Sequence, residues 1–271
     1  MDQTGSDQTN PKSKIQNRMW LVLDIGNSAA KGGFFEGDQL KDPFRLPLSG
    51  EDPPASWEAA FEERLRGRAV TRAGIASVVP AATAGVQVLL NRLAKVEAEV
   101  IHHQMRLPFT LAYQTPHTLG ADRLAAAAAA WSIYGRDRAV VALDAGTAVT
   151  LEVVDRTGVF LGGVIGAGPH LLREALVHGT AQLPPVPLER PPTPIGRTTQ
   201  EAIQAGIMYA FIDSVRGILE RISKSLDENP FVVATGGWSP FLNEHLDTID
   251  HVDPHLVLHG IRVLMMLNRE T

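Results

Sequence analysis

Trp20-Leu21-Val22-Leu23-Asp24-Ile25-Gly26-Asn27-Ser28 is a short apolar run that ends in an acidic residue and a glycine, and Val140-Val141-Ala142-Leu143-Asp144-Ala145-Gly146-Thr147-Ala148-Val149-Thr150 repeats the construction with its aspartate 120 residues further on. Each run reads as a buried strand with a tight loop after it. Each then enters a second apolar stretch and a polar turn. In the first copy this is Gly32-Gly33-Phe34-Phe35-Glu36-Gly37-Asp38, and in the second Leu151-Glu152-Val153-Val154-Asp155-Arg156-Thr157-Gly158. Two strands joined this way predict a hairpin in each copy. The recurrence predicts a duplicated domain with a boundary near Arg136 to Arg138: a polar tail over residues 1–18, a first domain over 19–136 and a second over 137–271.

Strands alternate with helices between and after the two copies. A proline- and acid-rich loop at Ser49 to Ser56 precedes a predicted helix from Trp57 to Arg66, a strand from Ala73 to Val79, a helix around Gly85 to Val96 and a short strand at Glu99 to His102. Ala121-Asp122-Arg123-Leu124 followed by six alanines is a strong helix former, preceded by Gly120 and open to termination at Gly135. Its small side chains suit close approach by another element. Leu183 to Ile195 holds six prolines and reads as a loop or extended arm. Beyond it, Thr198 or Thr199 can cap a long amphipathic helix carrying Ile203, Ile207, Phe211, Ile218 and Ile222. The strand Phe231 to Thr235 runs into Gly236-Gly237, and Pro254 to Leu267 closes the chain as a helix. This alternation predicts the α/β class.

The chain has 271 residues, 44% hydrophobic and 20% charged, enough apolar material for a substantial core. A net charge of −5 with no basic run argues against nucleic acid as a partner. The absence of cysteine excludes disulfides, thiolate metal sites and a cysteine nucleophile, and suits a reducing cytoplasm. The longest apolar run, Leu124 to Trp131, falls short of the roughly 18 to 20 residues of a membrane helix, and the polar first 18 residues carry no signal-like apolar stretch. A soluble protein with no membrane partner is expected. Met19, directly before the first strand, is a second candidate start.

Two strands ending Asp-x-Gly and a third ending Thr235-Gly236-Gly237 provide three glycine turns for a polyphosphate. Glycine lets the backbone approach the anion, and Asn27, Ser28 and Thr147 add donors. No Gly-x4-Gly-Lys-Ser/Thr is present and no Gly-x-Gly-x-x-Gly follows a strand, which disfavours the common P-loop and dinucleotide folds. His251, His255 and His259 are spaced by four, yet Pro254 interrupts that stretch and no familiar ligand set is completed, so surface or core histidines are expected.

Asp24-Ile25-Gly26-Asn27, Gly120-Ala121-Asp122-Arg123, Asp144-Ala145-Gly146-Thr147-Ala148-x-Thr150, Gly162-Gly163-x-Ile165, Gly196-x-x-Thr199-x-Glu201-Ala202-Ile203-x-x-Gly206 and Ala234-Thr235-Gly236-Gly237 follow one another. In that order the chain resembles the type III pantothenate kinases from about Leu21 to about Leu267. The resemblance implies two tandem ribonuclease-H-like, actin-like ATPase domains with mixed sheets flanked by helices, which would account for the repeat. It departs from the family pattern at Ser28, in place of a threonine, and at Ala167-Gly168, where the family generally has Pro-Gly.

The resemblance also implies roles. Asp122 corresponds to the catalytic acid; from its position alone it also fits as a favourable charge in a first helical turn. Tyr113, Gly120, Ala121, Asp122 and Arg123 would bind pantothenate, with Arg123 suited to a substrate carboxylate and Thr199 reaching the pocket from across a homodimer. Asp24, Ile25, Gly26, Asn27, Ser28, Ala29, Ala30, Lys31, Gly146, Thr147, Gly236 and Gly237 would bind ATP, although Lys31 equally fits a solvated lysine of a hairpin. Asp24 would act on Mg2+ through water, and Asp144 would bind K+ or NH4+. The implied activity is phosphorylation of pantothenate by ATP in coenzyme A biosynthesis. A kinase of another small polyol or sugar acid, and a non-enzymatic nucleotide-dependent regulator, are the alternatives. The all-alanine helix and the long apolar helix face add an expectation of subunit pairing.

Overall fold

The first strand is buried on both faces from Leu21 to Ile25 and forms the centre of the N-terminal part. The computed structural model describes residues 18–48, 55–135 and 137–269, and packing divides them into one unit running to Val100 and another starting at Ile101. The expected tail, except Arg18, and most of the expected loop at 49–56 lie outside the described residues. In the first unit β1 (Arg18–Ile25), β2 (Ala29–Glu36), β3 (Gln39–Pro47), β4 (Ala69–Ser77) and β5 (Ala98–Val100) form a sheet in the order β3-β2-β1-β4-β5. β1 runs antiparallel to β2 and parallel to β4. Leu21, Leu23 and Ile25, two residues apart and so on one face, are buried with Trp57 and Phe61 of α1 (Ala55–Leu65) and with Val86 and Leu90 of α2 (Pro80–Ala94). α2 begins earlier than its expected start near Gly85. Pro80 sits in its first turn, where a missing N–H costs nothing and the fixed φ is already helical.

The second unit holds β6 (Thr110–Leu111), α3 (Ala121–Ala129), β7 (Val140–Ala145), β8 (Ala148–Val154), β9 (Val159–Ala167), α4 (Pro169–Gly179), α5 (Thr199–Leu226), β10 (Phe231–Thr235), α6 (Ser239–Asn243), β11 (His251–Val252) and α7 (Leu256–Leu267). Its sheet order is β11-β10-β7-β8-β9-β6. Setting β6 aside, β7 to β11 reproduce the order of β1 to β5, with the same antiparallel and parallel pairs. The repeat extends to single hydrogen bonds: Val78 N–H donates to Ile25 O at 3.1 Å as Trp238 N–H donates to Ala145 O at 2.9 Å. Packing and repeat nonetheless divide the chain differently. The segment after Ile101 belongs with the second unit because β6 pairs with β9 and α3 packs on α7.

The alanine run of α3 is buried within its own unit. At the crossing with α7 a Cβ added to Gly260 would overlap the Ala125 carbonyl, so the two backbones meet with no side chain between them. That close approach uses the small residues expected to admit a neighbour. It also removes them as a reason for subunit pairing. α3 passes directly into a π turn over Ala130–Tyr134, which ends at Gly135. α5 is long and apolar enough by length and composition to cross a membrane. It carries Asp213, Arg216, Glu220 and Arg221, however, and Ile203, Ile207, Phe211, Val215 and Leu219 are buried in the unit's own cores. It is a core helix of this fold. Thr198 caps it, accepting from Glu201 N–H at 3.2 Å while the Glu201 carboxylate accepts from Arg197 N–H at 2.7 Å, a reciprocal arrangement that satisfies two N–H groups of the helix start.

Candidate active site

In the first unit β1 ends at a turn built from Gly26, Asn27 and Ser28, where Gly26 N–H donates to Ala29 O at 3.0 Å. Asp24 is buried, while Asn27 and Ser28 are exposed and Lys31 is half-buried. Asp24 and Lys31 are register partners on the antiparallel pair, so they share a face. Ile25 and Ala30 form the next pair and are both buried in the core. Their backbones, and that of Ala29, shape the turn.

In the second unit the equivalent turn lies among three loops. Asp144 is the register partner of Thr150 on β8 and of Thr235 on β10. Gly236, which follows Thr235, has φ +88°, a left-handed conformation that side chains rarely adopt, and a Cβ there would overlap the Asp144 carboxylate and lie 2.5 Å from Ala145 O. Glycine at 236 therefore lets the third loop close onto the aspartate. Asp144, Gly146 and Gly236 converge, with Thr147 and Gly237 exposed beside them. Gly168 N–H donates to Thr147 O at 3.0 Å, so the glycine kept at the Ala167-Gly168 departure holds the end of β9 against this loop.

The second grouping lies further along the same face of β8, where Glu152 follows Thr150 by two residues. Glu152 alternates with Leu151 and Val153, which belong to the α5 core, so its side chain points toward α3. There Arg123 meets it bidentately: Nε donates to Oε1 at 2.6 Å and Nη2 to Oε2 at 2.7 Å. The side chains are 9% and 0% exposed. Burial lowers the Arg123 pKa, and the hydrogen bonds and charge of Glu152, helped by Tyr113, more than reverse this, so it stands above its ordinary value. On Glu152 burial and the nearby Asp122 push the pKa up, outweighing the pull of Arg123 and a hydrogen bond from Thr150. The guanidinium stays charged across the working pH range, so both of its hydrogen bonds to Glu152 are charge-assisted.

The Arg123 guanidinium carbon lies 5.9 Å from the Tyr113 ring centroid, and Tyr113 packs edge-on against Phe160 at 6.0 Å. Asp122, half-buried in the first turn of α3, accepts from Arg123 N–H at 2.8 Å. Gly120 is the N-cap residue of α3, and Ala121 is buried as its first helical residue. The structure thus gathers Tyr113, Asp122 and Arg123 in one place and sets Thr199 at the exposed start of α5. Glu152 was not singled out by the sequence. Its signal was one acid inside an otherwise apolar strand, with its cation 29 residues away.

Among the described residues no group of three or more potential ligands is placed to hold a metal through His, Asp and Glu alone. His259 instead pairs with the buried Asp253, Nδ1 to Oδ2 at 2.7 Å, and His251 packs at a tilt against Tyr134, ring centroids 5.2 Å apart.

The family model of type III pantothenate kinase matches residues 20–221. The chain is 35% identical to type III pantothenate kinase 1 of Symbiobacterium thermophilum, covering 92% of this chain and 97% of that one. It is 36% identical to the type III pantothenate kinase of Chlorobaculum parvum, covering 92% and 94%. Among solved structures it is similar to a Campylobacter jejuni protein described as a candidate transcriptional activator of the Baf family, with a TM-score of 0.56 and 22% identity over 92% of this chain and 98% of that one. A glucokinase from an Antarctic psychrotroph follows, with a TM-score of 0.50 and 11% identity over 92% and 98%. These two likenesses concern the fold alone, which is that of the actin-like and sugar kinases.

Proposed function

The chain belongs to the type III pantothenate kinase family and phosphorylates pantothenate with ATP in coenzyme A biosynthesis, and on that premise we propose how its residues divide the work. Asp122 accepts the proton of the pantothenate primary alcohol as the hydroxyl oxygen bonds to the γ-phosphorus. The bond from that phosphorus to its bridging oxygen breaks, and ADP leaves. Tyr113, Gly120, Ala121 and Arg123 frame the acceptor. The observation that carries this reading is the Asp122-Arg123 turn, held on β8 by the buried ion pair and lying beside Tyr113.

The turn at Asp24 to Lys31 of the first unit serves ATP, and in the second unit Gly146, Thr147, Gly236 and Gly237 do so. Asp24 would hold Mg2+ through water, since magnesium keeps several of its waters, and the ion would neutralise phosphate charge. The Asp144 carboxylate beside the carbonyl of Ala145 is a hard-oxygen set that fits a monovalent cation, K+ or NH4+. That ion would add positive charge near the phosphates. The working unit is a homodimer. The support is an apolar groove of about 350 Å3 between β8–β9 and α5, lined by Val153, Val164, Ile218, Ile222 and Leu226. Thr199, not used by its own helix cap, is exposed and suited to completing a partner's pocket. The duplication divides the chain at 136/137, and the enzyme works in the cytoplasm, where ATP is abundant.

ADP release measured with pantothenate, N-acetylmannosamine and glucose tests the activity: turnover is expected with pantothenate alone, and equal rates with a sugar would overturn it. Light scattering on a size-exclusion column is expected to give the mass of a dimer, and a fully active monomer would break the shared pocket.

A further inference from the structure

Arg123 is oriented before any acceptor arrives. Glu152 occupies Nε and Nη2, one of the two edges through which an arginine grips a carboxylate by two parallel hydrogen bonds. Tyr113 lies against the same guanidinium. The strand opposite Glu152 makes room for the pair: Gly163 is its register partner on β9, and a Cβ there would overlap Leu151 O and lie 2.6 Å from Glu152 Oε2 and 3.1 Å from Arg123 Nη2. The first unit shows that the sheet itself needs no charge at this point. There the residue opposite Val22 on β2 is Gly33, just as Glu152 is opposite Ala142 on β8, and Gly33 is covered by Leu40.

We propose that Glu152 is a positioning residue of the acceptor site: by taking one paired edge of Arg123 it fixes the α3 turn and Tyr113 and leaves Nη1 of the same guanidinium to the acceptor. This rests on the reading that Tyr113 to Arg123 frame the acceptor.

The test uses the full-length enzyme and its Glu152→Gln, Glu152→Asp and Arg123→Lys variants with pantothenate as acceptor. Glu152→Gln is expected to raise the acceptor KM and lower kcat/KM for pantothenate about 10- to 100-fold, the usual cost of removing a group that orients a functional residue. KM for ATP should stay within about twofold, and Glu152→Asp, which keeps the carboxyl group, should fall between wild type and Gln. Arg123→Lys, which cannot pair with Glu152 through two parallel bonds, should lower kcat/KM for pantothenate with KM for ATP likewise unchanged. An acceptor KM in Glu152→Gln within about threefold of wild type would overturn the proposal. Should Glu152→Gln fail to fold by circular dichroism, Glu152→Asp and Arg123→Lys decide. Wild type inactive with pantothenate would instead count against the kinase reading.

Discussion

The loop after Asp24 and the loop after Asp144 end equivalent strands of equivalent sheets, yet they are built to different tightness. In the first, a Cβ added to Gly26 would find only Ala29 O at 3.6 Å, an ordinary contact, and Asp24 has a lysine as its register partner. In the second, Gly236 closes a third loop onto the aspartate, and the register partner is a threonine. Duplication supplied one backbone twice. The difference lies in what each copy places around its aspartate: in the first a loose turn and a lysine register partner beside a buried carboxylate, in the second a half-buried carboxylate with Gly236 and the Ala145 carbonyl close to it. A carboxylate set beside a carbonyl offers direct oxygen ligands to an ion that sheds its waters.

Replacing each aspartate in turn should separate the two. Asp144→Asn is expected to lower kcat roughly 10²-fold, as loss of one preorganised electrostatic group does, and to leave the remaining rate the same in potassium and sodium. Asp24→Asn should lower activity by a similar factor while keeping the preference for potassium and raising the magnesium concentration needed for half-maximal rate. Salt-exchange assays on both variants check this, and a retained potassium preference in Asp144→Asn would erase the contrast.

The glycines sharpen the same comparison in stability. Gly236→Ala combines a left-handed backbone with overlap onto Asp144, and is expected to cost about 1 to 3 kcal/mol. Gly26→Ala, at an ordinary φ with open space, should change stability by less than about 1 kcal/mol. Urea denaturation of the two variants reads the difference.

Much of this contrast was legible in the sequence, because an apolar run closed by Asp-x-Gly is a local signal and occurs twice. The helix of alanines and the capped start of α5 were legible for the same reason. The third strand of each copy was not. β3 carries charged residues and Pro43 on an exposed edge, and β9 is rich in glycine, so neither shows the alternation of a half-buried strand. β6 and β11 are two residues long and exist only through pairing. Glu152 was hidden differently: a buried acid is explained only by its partner, and Arg123 arrives from another element. The aspartate that would have explained the histidines, Asp253, was likewise present but readable only once the chain had folded.

A further effect on stability concerns that aspartate. Burial pushes the Asp253 carboxyl up, but the His259 hydrogen bond, the His255 N–H and the nearby histidine charges outweigh it, and its pKa lies below the ordinary value. A carboxyl lowered on folding stabilises above its unfolded value of about 3.9 and loses that contribution as the pH falls through the lower folded value. Asp253→Asn should therefore cost about 1 to 2 kcal/mol at pH 7 and flatten the acid side of the stability curve. Thermal melts between pH 7 and pH 3 check both.

The central claim is that phosphoryl transfer to pantothenate depends on the acid at the start of α3. The direct measurement is a 31P spectrum of ATP and pantothenate incubated with wild type or with Asp122→Asn at matched ATP occupancy. Wild type should produce ADP and one new phosphomonoester resonance. The variant should produce it about 10² to 10⁴ times more slowly, with ATP still bound. An equal rate of phosphomonoester formation in the variant would contradict the assignment.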